Sequence, residues 1–438
     1  MKINRLLVQE DRFGLNEGLT DTIPFYRKSI NYMVLFFPIT SFLLIPAVQG
    51  TTVITILAAM LFGIFVGFPA GTNKYIYLKE LSIFFLIYIA FSVISQFLNL
   101  IYDLKLDTRI VLVNPGDYLD YFYRSSHLTQ TLYLTISIVI YLFVKYYADH
   151  SIIDYIYWAL RLLCFYAIYE FLYFLVTGSS GDFVTNRKFG ETSASLFQTI
   201  TIAGMRLQRM KGYTGEPSMF TFTIQPFWVL SYALRRKFDS VLLLVCLILT
   251  FSTTAYLSII AFFVAWFVYK KRYKQIFYVM IVMVVALAIL QLDAFRSTLD
   301  AVYDSVLGTK LSGASGSSQD RGGKFAYHLA YWANLHLPHQ IFGIGFGYIR
   351  STDFFTTMLV NNGVVGFLVF SLFVIHHARI DILKRDIAFC YITGLFIVYF
   401  NLMATVPEFM YPSFWIFLGL GYVLRTYYQR YDELEETS

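Results

Sequence analysis

The sequence predicts an all-α polytopic membrane protein, a single integral domain over 1–438 with about twelve transmembrane helices and two large loops outside the bilayer. Three observations predict it. Hydrophobic residue types make up 57% of the 438 residues and charged ones only 14%, against roughly 25% charged in an ordinary soluble protein. Mean hydropathy is +0.59. Charge-free runs recur at the roughly 20-residue length that a helix needs to cross a bilayer. Together these exclude a disordered chain, a coiled coil and a water-soluble enzyme. Lys and Arg exceed Asp and Glu only by 34 to 28, too little to point to nucleic acid, and no such partner is expected.

The elements follow in order. Residues 1–28 are polar and carry Lys2, Arg5, Arg12, Arg27 and Lys28, so no secretory leader is expected there. The run 29–73 has no charged residue; it is long enough for two spans, with a break at Pro46, Gln49 and Gly50. Spans three and four are expected at 81–101 and 127–147. The fifth, 155–176, contains Arg161 and Glu170, which are costly in lipid. Arg161 is near enough to the cytoplasmic edge to snorkel. Glu170 lies toward the outer half, where Gln96, Asn99 and Gln225 are further candidates for a polar cavity. The sixth span is 218–234.

The charge-free run 240–269 is short for two crossings. Arg235, Arg236 and Lys237 precede it, and Lys270, Lys271, Arg272 and Lys274 follow it. Both clusters favour the cytoplasm. The run therefore reads as a hairpin of two short helices turning at Ser252-Thr253-Thr254, with a single span as the alternative. Spans at 275–292, 355–378, 387–404 and 411–424 complete the set. With the basic clusters inside, both termini are cytoplasmic, and the short outer loops near Gly50, Thr253 and Pro407 carry no Lys or Arg. Cys164, Cys246 and Cys390 lie singly in apolar runs, without disulfide or metal-type spacing.

Three outer segments are long: 102–126, 178–217 and 293–354. The second ends in Arg206-Leu-Gln-Arg209-Met-Lys211-Gly-Tyr213-Thr-Gly-Glu216-Pro217-Ser218. Its cations converge on one side in either a helix or a strand, and arginine's planar fork suits phosphate. Lipid headgroups are the plainer partner for the same charges. Pro217 suits the first position of a helix, which leaves Glu216 at a helix entrance, as a free carboxylate or as a cap. The third segment holds Asp320-Arg321-Gly-Gly-Lys324, an amphipathic helix over 325–335, and Gly343-Ile-Gly345-Phe-Gly347. No βαβ pattern surrounds these glycines, so a nucleotide loop is rejected. They instead permit close backbone approach to a ligand or a helix. His328, His336 and His339 lack a metal-ligand pattern. Tyr327, Tyr331 and Trp332 suit either sugar stacking or an apolar helix face.

Arg209-x-x-Gly212 followed by Gly215-Glu216-Pro217-Ser218, the Ser252-Thr253-Thr254 turn, and the train Arg321, Pro338, Phe342-Gly-Ile-Gly-Phe-Gly347 and Asn361-Asn-Gly-Val-Val-Gly366 resemble bacterial O-antigen polymerases (Wzy-type), relatives of the O-antigen ligases. The resemblance implies a GT-C-like architecture in the bacterial inner membrane, with the loops 178–217 and 293–354 in the periplasm. It implies polymerisation of undecaprenyl-pyrophosphate-linked repeat units by glycosyl transfer. A chain-length regulator (co-polymerase) is an implied partner. Ligases carry a His-Asn pair after the Gly-x-Gly stretch; here Ser351-Thr352-Asp353-Phe354 has no histidine, which favours a polymerase. Ligase, flippase and solute transporter are the alternatives. The long loops argue against a flippase, and the lack of repeat symmetry argues against a transporter.

On this reading cations stabilise the charge that grows on the departing pyrophosphate. Arg209 and Arg321 are the central candidates, with Arg206, Lys211, Lys324 and Arg350 as further pyrophosphate ligands. Glu216 is the first candidate for the base that takes the acceptor proton, and Asp353 the second. Glu170 and Tyr213 are secondary site candidates. No cofactor and no metal is expected, since no Asp-rich pattern occurs.

Overall fold

The structure, a computed structural model, describes residues 22–46, 48, 50–104, 106–107, 110, 125–187, 198–202, 205–274, 316–407 and 409–436. The expected span 275–292 lies outside the described residues, as do most of 102–126 and the first part of 293–354. The helices are α1 Thr22–Val34, α2 Val53–Gly67, α3 Asn73–Ile101, α4 Ser125–Tyr147, α5 Ile152–Thr177, α6 Pro217–Ala233, α7 Lys237–Leu249, α8 Thr253–Tyr269, α9 Gly316–Ala333, α10 Leu337–Phe342, α11 Phe354–His376, α12 Arg385–Thr405 and α13 Pro412–Glu436. Among the described residues, five helices are long and apolar enough to cross a membrane, namely α3, α4, α5, α11 and α12; α2 and α8 are shorter apolar helices. The chain is a multi-pass membrane protein.

One feature is not helical. Strands β1 (Thr199–Ile202) and β2 (Met205–Gln208) form an antiparallel hairpin with Thr199 opposite Gln208. It stands in the loop 178–217.

Helix α6 is the hub. Almost every side chain from Pro217 to Ser231 is buried, so it has no lipid-facing stripe, as expected of a helix apolar on all sides. It packs chiefly on α12 and α7. Gly394 makes the α12 contact possible: a Cβ there would lie 2.9 Å from the Phe417 ring and 3.1 Å from the Pro226 carbonyl oxygen. Polar groups inside the bundle find each other, as they must where water is absent. Asn401 donates to Gln225, and Gln225 Nε2 donates to the Thr254 carbonyl at 3.4 Å.

Residues 240–269 form two helices as the hairpin reading has it, but they join at 250–252, because Ser252 is the N-cap of α8 and Thr253 and Thr254 are its first turn. The tip is buried, with Thr250 and Ser252 at 0% and 6% exposure, so the short helices end inside protein. Arg161 differs from expectation. It does not snorkel alone; its Nε and Nη2 meet Asp239 of α7 at 2.6 and 3.0 Å. Asp239 is buried. Arg161→Met leaves Asp239 with the longer ion pair to Arg236 at 3.5 Å and is expected to cost about 1.5–3 kcal/mol, the worth of hydrogen bonds to a charged group, read as a lower melting temperature in detergent.

Helix α3 stands off from the bundle, with only 11% of its apolar window buried. Between it and α4, α11 and α13 runs a cavity of about 440 Å³. Aromatic and aliphatic side chains such as Phe84, Tyr88, Ile138 and Phe370 line it; Phe346 and Phe409 are at one end, and Glu80, Lys145 and His377 at the other.

Candidate active site

Three segments meet at the end of the bundle where α6 begins. The first is 182–187. Asn186 pins it, accepting from Leu43 N at 2.7 Å and donating to the Leu43 carbonyl at 2.8 Å. Arg187 N donates to the Ser41 carbonyl at 3.0 Å. The second is the turn Gly212–Thr214 leading into α6. Gly212 and Gly215 take φ of +51° and +83° there, left-handed values that glycine adopts without strain.

The third segment is 343–353, laid against α11. Gly343 and Gly363 are reciprocal: a Cβ on Gly343 would lie 2.3 Å from the Asn361 carbonyl carbon, and one on Gly363 would lie 2.3 Å from that of Ile341. Gly363 has φ +65° and kinks α11. Ile344 N and Gly345 N donate to the carbonyls of Val360 and Asn361 at 2.9 and 2.8 Å. The Asn361 side chain accepts from Ile349 N at 3.0 Å and donates to its carbonyl at 2.9 Å. That clamp fixes the residue immediately before Arg350. From α3, Asn99 donates to the Ile344 carbonyl at 2.8 Å and takes a hydrogen bond from His339 at 3.1 Å. Burial, and next the neighbouring His336, push the His339 pKa down to about 4, so a neutral ring holds this contact. The glycines therefore serve close approach to a helix, one of the two uses expected of them.

The segments bring Arg187, Arg350 and Glu216 within electrostatic reach of one another, together with Tyr133 of α4 and Tyr411. Arg187 is buried and donates from Nη1 to the Tyr411 hydroxyl at 2.9 Å. Burial would lower its pKa, but Tyr411, Tyr133 and Glu216 outweigh that and hold it above the ordinary value. Arg350 is solvent-accessible, yet burial is the first cause, and the charge of Arg187 the second, that lowers its pKa. The region these groups share beside the start of α6 is the candidate recess. Among the described residues, two guanidinium groups and one carboxylate meet there, a donor set suited to a phosphate-bearing group.

Glu216 occupies the N-cap position of α6, but its side chain accepts no backbone N–H there. Its Oε2 takes a bond from the Ser218 hydroxyl at 3.3 Å. The capping alternative is thus not what this carboxylate does.

Of the residues expected at the site, Glu216 and Arg350 come together, and Arg187 joins them. Arg206 is exposed on β2, donating to Thr199 Oγ1 at 3.1 Å. Arg209 turns to the hairpin tip, where its Nε donates to the Thr250 carbonyl at 3.0 Å and its Nη1 donates to Gln198. Lys211 is not presented to a ligand: it is 1% exposed and ion-paired to Glu170 and Asp182. Tyr213 stacks on Tyr166 with centroids 4.2 Å apart. Lys324 is exposed on α9. The backbone of Arg321 lies in α9, and its side chain is outside the described residues. Asp353 caps α11, accepting from Thr356 N at 2.7 Å, Thr356 Oγ1 at 2.9 Å and Ser351 Oγ at 3.2 Å. Loss of such a cap costs about 1 kcal/mol, so Asp353→Ala should lower the melting temperature while leaving chemistry at the recess largely intact.

Residues 240–358 match the O-antigen ligase family. No curated protein matches the chain, and no solved structure does. The family segment runs from α7 through the start of α11. It therefore contains the buried hairpin tip, the paired-glycine loop and Arg350, and it ends before Asn361. Arg187 and Glu216 lie outside it. Sequence reasoning missed Arg187 because a single arginine after Thr185-Asn186 has no companion cation nearby except Lys188; its partners are supplied by distant segments.

Proposed function

We propose that the protein is a membrane glycosyltransferase that lengthens a polysaccharide from undecaprenyl-pyrophosphate-linked repeat units at the periplasmic face of the inner membrane. The observation that carries this is the convergence of Arg187 and Arg350 beside Glu216. The two arginines hold the diphosphate of the donor. The bond between the sugar's anomeric carbon and the diphosphate oxygen breaks, and the arginines stabilise the charge left on that oxygen. The acceptor hydroxyl oxygen bonds to the carbon, and its proton passes to Glu216. The lipid pyrophosphate departs. Arginines supply the positive charge without a metal, so turnover should survive a chelator; loss on chelation, restored by one divalent ion, would refute that part.

The cavity beside α3 supports a lipid-borne substrate. Its lining is mostly apolar, and its Phe346 end belongs to the segment that carries Arg350, so a polyprenyl chain lying there would point its diphosphate toward that segment. The basic clusters at 235–237, 270–272 and 379–385 lie at helix ends opposite the recess, which supports cytoplasmic termini. Labelling tests this directly. Cys164, Cys246 and Cys390 are buried and so give little background. Met205→Cys, at an exposed site on the recess side, should react with an impermeant maleimide added from the periplasm; Phe238→Cys, equally open on the other side, should not. The reverse pattern would sink the assignment of faces.

A ligase is the second reading, favoured by the description of the matched family. Against it, the comparable stretch Ser351-Thr352-Asp353-Phe354 has no histidine, and Asp353 is engaged as a cap. Purified protein given lipid-linked repeat units decides the matter. Products that grow with no lipid A core present support the polymerase and imply a place for a chain-length regulator. Transfer that occurs only when lipid A core is added establishes the ligase.

A further inference from the structure

The buried ionic cluster beneath the recess takes no part in the chemistry above. Lys211 Nζ lies 3.2 Å from Glu170 Oε1 and against Asp182 Oδ2, with side-chain exposures of 1%, 1% and 9% for Lys211, Glu170 and Asp182. Charges this deep persist only when paired. One ammonium held by two carboxylates has no charge left to offer a phosphate.

Its place in the chain is informative. Arg187 follows Asp182 by five residues, and Glu216 follows Lys211 by five. The Asp182 arm is stiff: Oδ1 accepts from Val184 N at 3.1 Å, Thr185 N at 2.9 Å and the Tyr166 hydroxyl at 3.3 Å. The Lys211 arm passes through the Gly212–Thr214 turn, where Tyr213 stacks on the same Tyr166. Ser41 touches both arms, its carbonyl accepting from Arg187 N at 3.0 Å and its N–H donating to the Tyr213 carbonyl at 2.9 Å. Burial would raise the Asp182 pKa, but the Lys211 charge and the hydrogen bonds outweigh it and hold it below the ordinary value.

We propose that the Lys211–Asp182 ion pair, anchored by Glu170, is a strut that sets Arg187 against Glu216, so that Lys211 is a positioning residue rather than a diphosphate ligand. This rests on the glycosyl-transfer reading of the recess. Misplacing one group of a transfer site by about 1 Å costs on the order of a hundredfold in rate, so the strut is expected to act on kcat.

The test uses the full-length protein in detergent, with lipid-linked repeat units for turnover and undecaprenyl pyrophosphate as the binding probe. Lys211→Met and Asp182→Asn should each lower kcat by roughly ten- to a hundredfold. Their double variant should be no worse than either alone, since both remove one interaction. A phosphate-binding lysine gives another pattern: Lys211→Met weakens binding of the probe, while Asp182→Asn, which frees the ammonium, leaves it unchanged or tighter. That pattern overturns the strut. Should Lys211→Met fail to elute as a monodisperse protein, Asp182→Asn alone decides, because it keeps the side chain's shape and an unimpaired rate would refute the proposal. If the unaltered protein binds the probe yet lengthens nothing, the glycosyl-transfer reading fails by itself; the strut is then judged on affinity, which it requires to fall in both single variants.

Discussion

Arg350→Ala should abolish chain lengthening, with kcat down by at least about two to three orders of magnitude, the loss seen when one preorganised charge-stabilising donor is removed. In cells the expected sign is a single repeat unit in place of a ladder. Arg187→Ala should match it, since both guanidinium groups face one recess and Glu216 is shared between them. Arg350→Lys should stay impaired because an ammonium lacks the paired fork that fits two phosphate oxygens. Glu216→Gln tests the other half of the site: it keeps the shape and the contact with Ser218 but removes the base, with an expected loss of about 10²–10⁴. The same assay carries Arg209→Ala and Arg321→Ala. Arg209 is spent on the Thr250 carbonyl and Gln198, so its removal should act through the hairpin tip and lower stability along with rate. A normal ladder from Arg350→Ala would remove the recess from the mechanism.

The second large effect is structural. Gly363→Val should leave little folded protein, because a Cβ at Gly363 would stand 2.3 Å from Ile341 backbone atoms and φ is +65°. No side chain can move aside to relieve a clash with main chain, and the left-handed backbone adds strain for a β-branched residue. Several kcal/mol are at stake, in the range reserved for such backbone mechanisms. Gly343→Ala meets the same contact from the other side and should behave alike. Gly322→Ala is the contrast. It lies within α9 with nothing inside 4 Å of its Cβ position, so it should be neutral or stabilise by about 0.5–1 kcal/mol. Yield and melting temperature in detergent report all three. Equal behaviour of Gly363→Val and Gly322→Ala would mean that the 343–353 segment does not dock on α11 as described.

These two predictions draw on different depths of the sequence. The glycines of 343–347 and the pair Glu216-Pro217 are legible because turn and helix-start chemistry is local, and the structure puts a close approach and a helix entrance there. The role of Lys211 is not legible. Beside Arg206 and Arg209 it reads as one more cation for phosphate, and only packing shows that Glu170 of α5 and Asp182 have already neutralised it. Asp353 misleads in the same way: it stands near the site in sequence and spends its oxygens on the first turn of α11. Arg187 is the converse, an unremarked residue made important by Tyr411, Arg350 and Glu216.

By itself the sequence determined that this chain lives in a bilayer and where most of its described helices run. The cost of putting a segment into hydrocarbon is summed over its own twenty or so residues, so it is set without any knowledge of the neighbours. Only the tertiary structure decided which charged groups come together. Arg187, Glu216 and Arg350 belong to segments far apart in the chain, and whether a cation is free or consumed depends on which carboxylate the packing brings to it, a matter of distance and burial that no local pattern encodes.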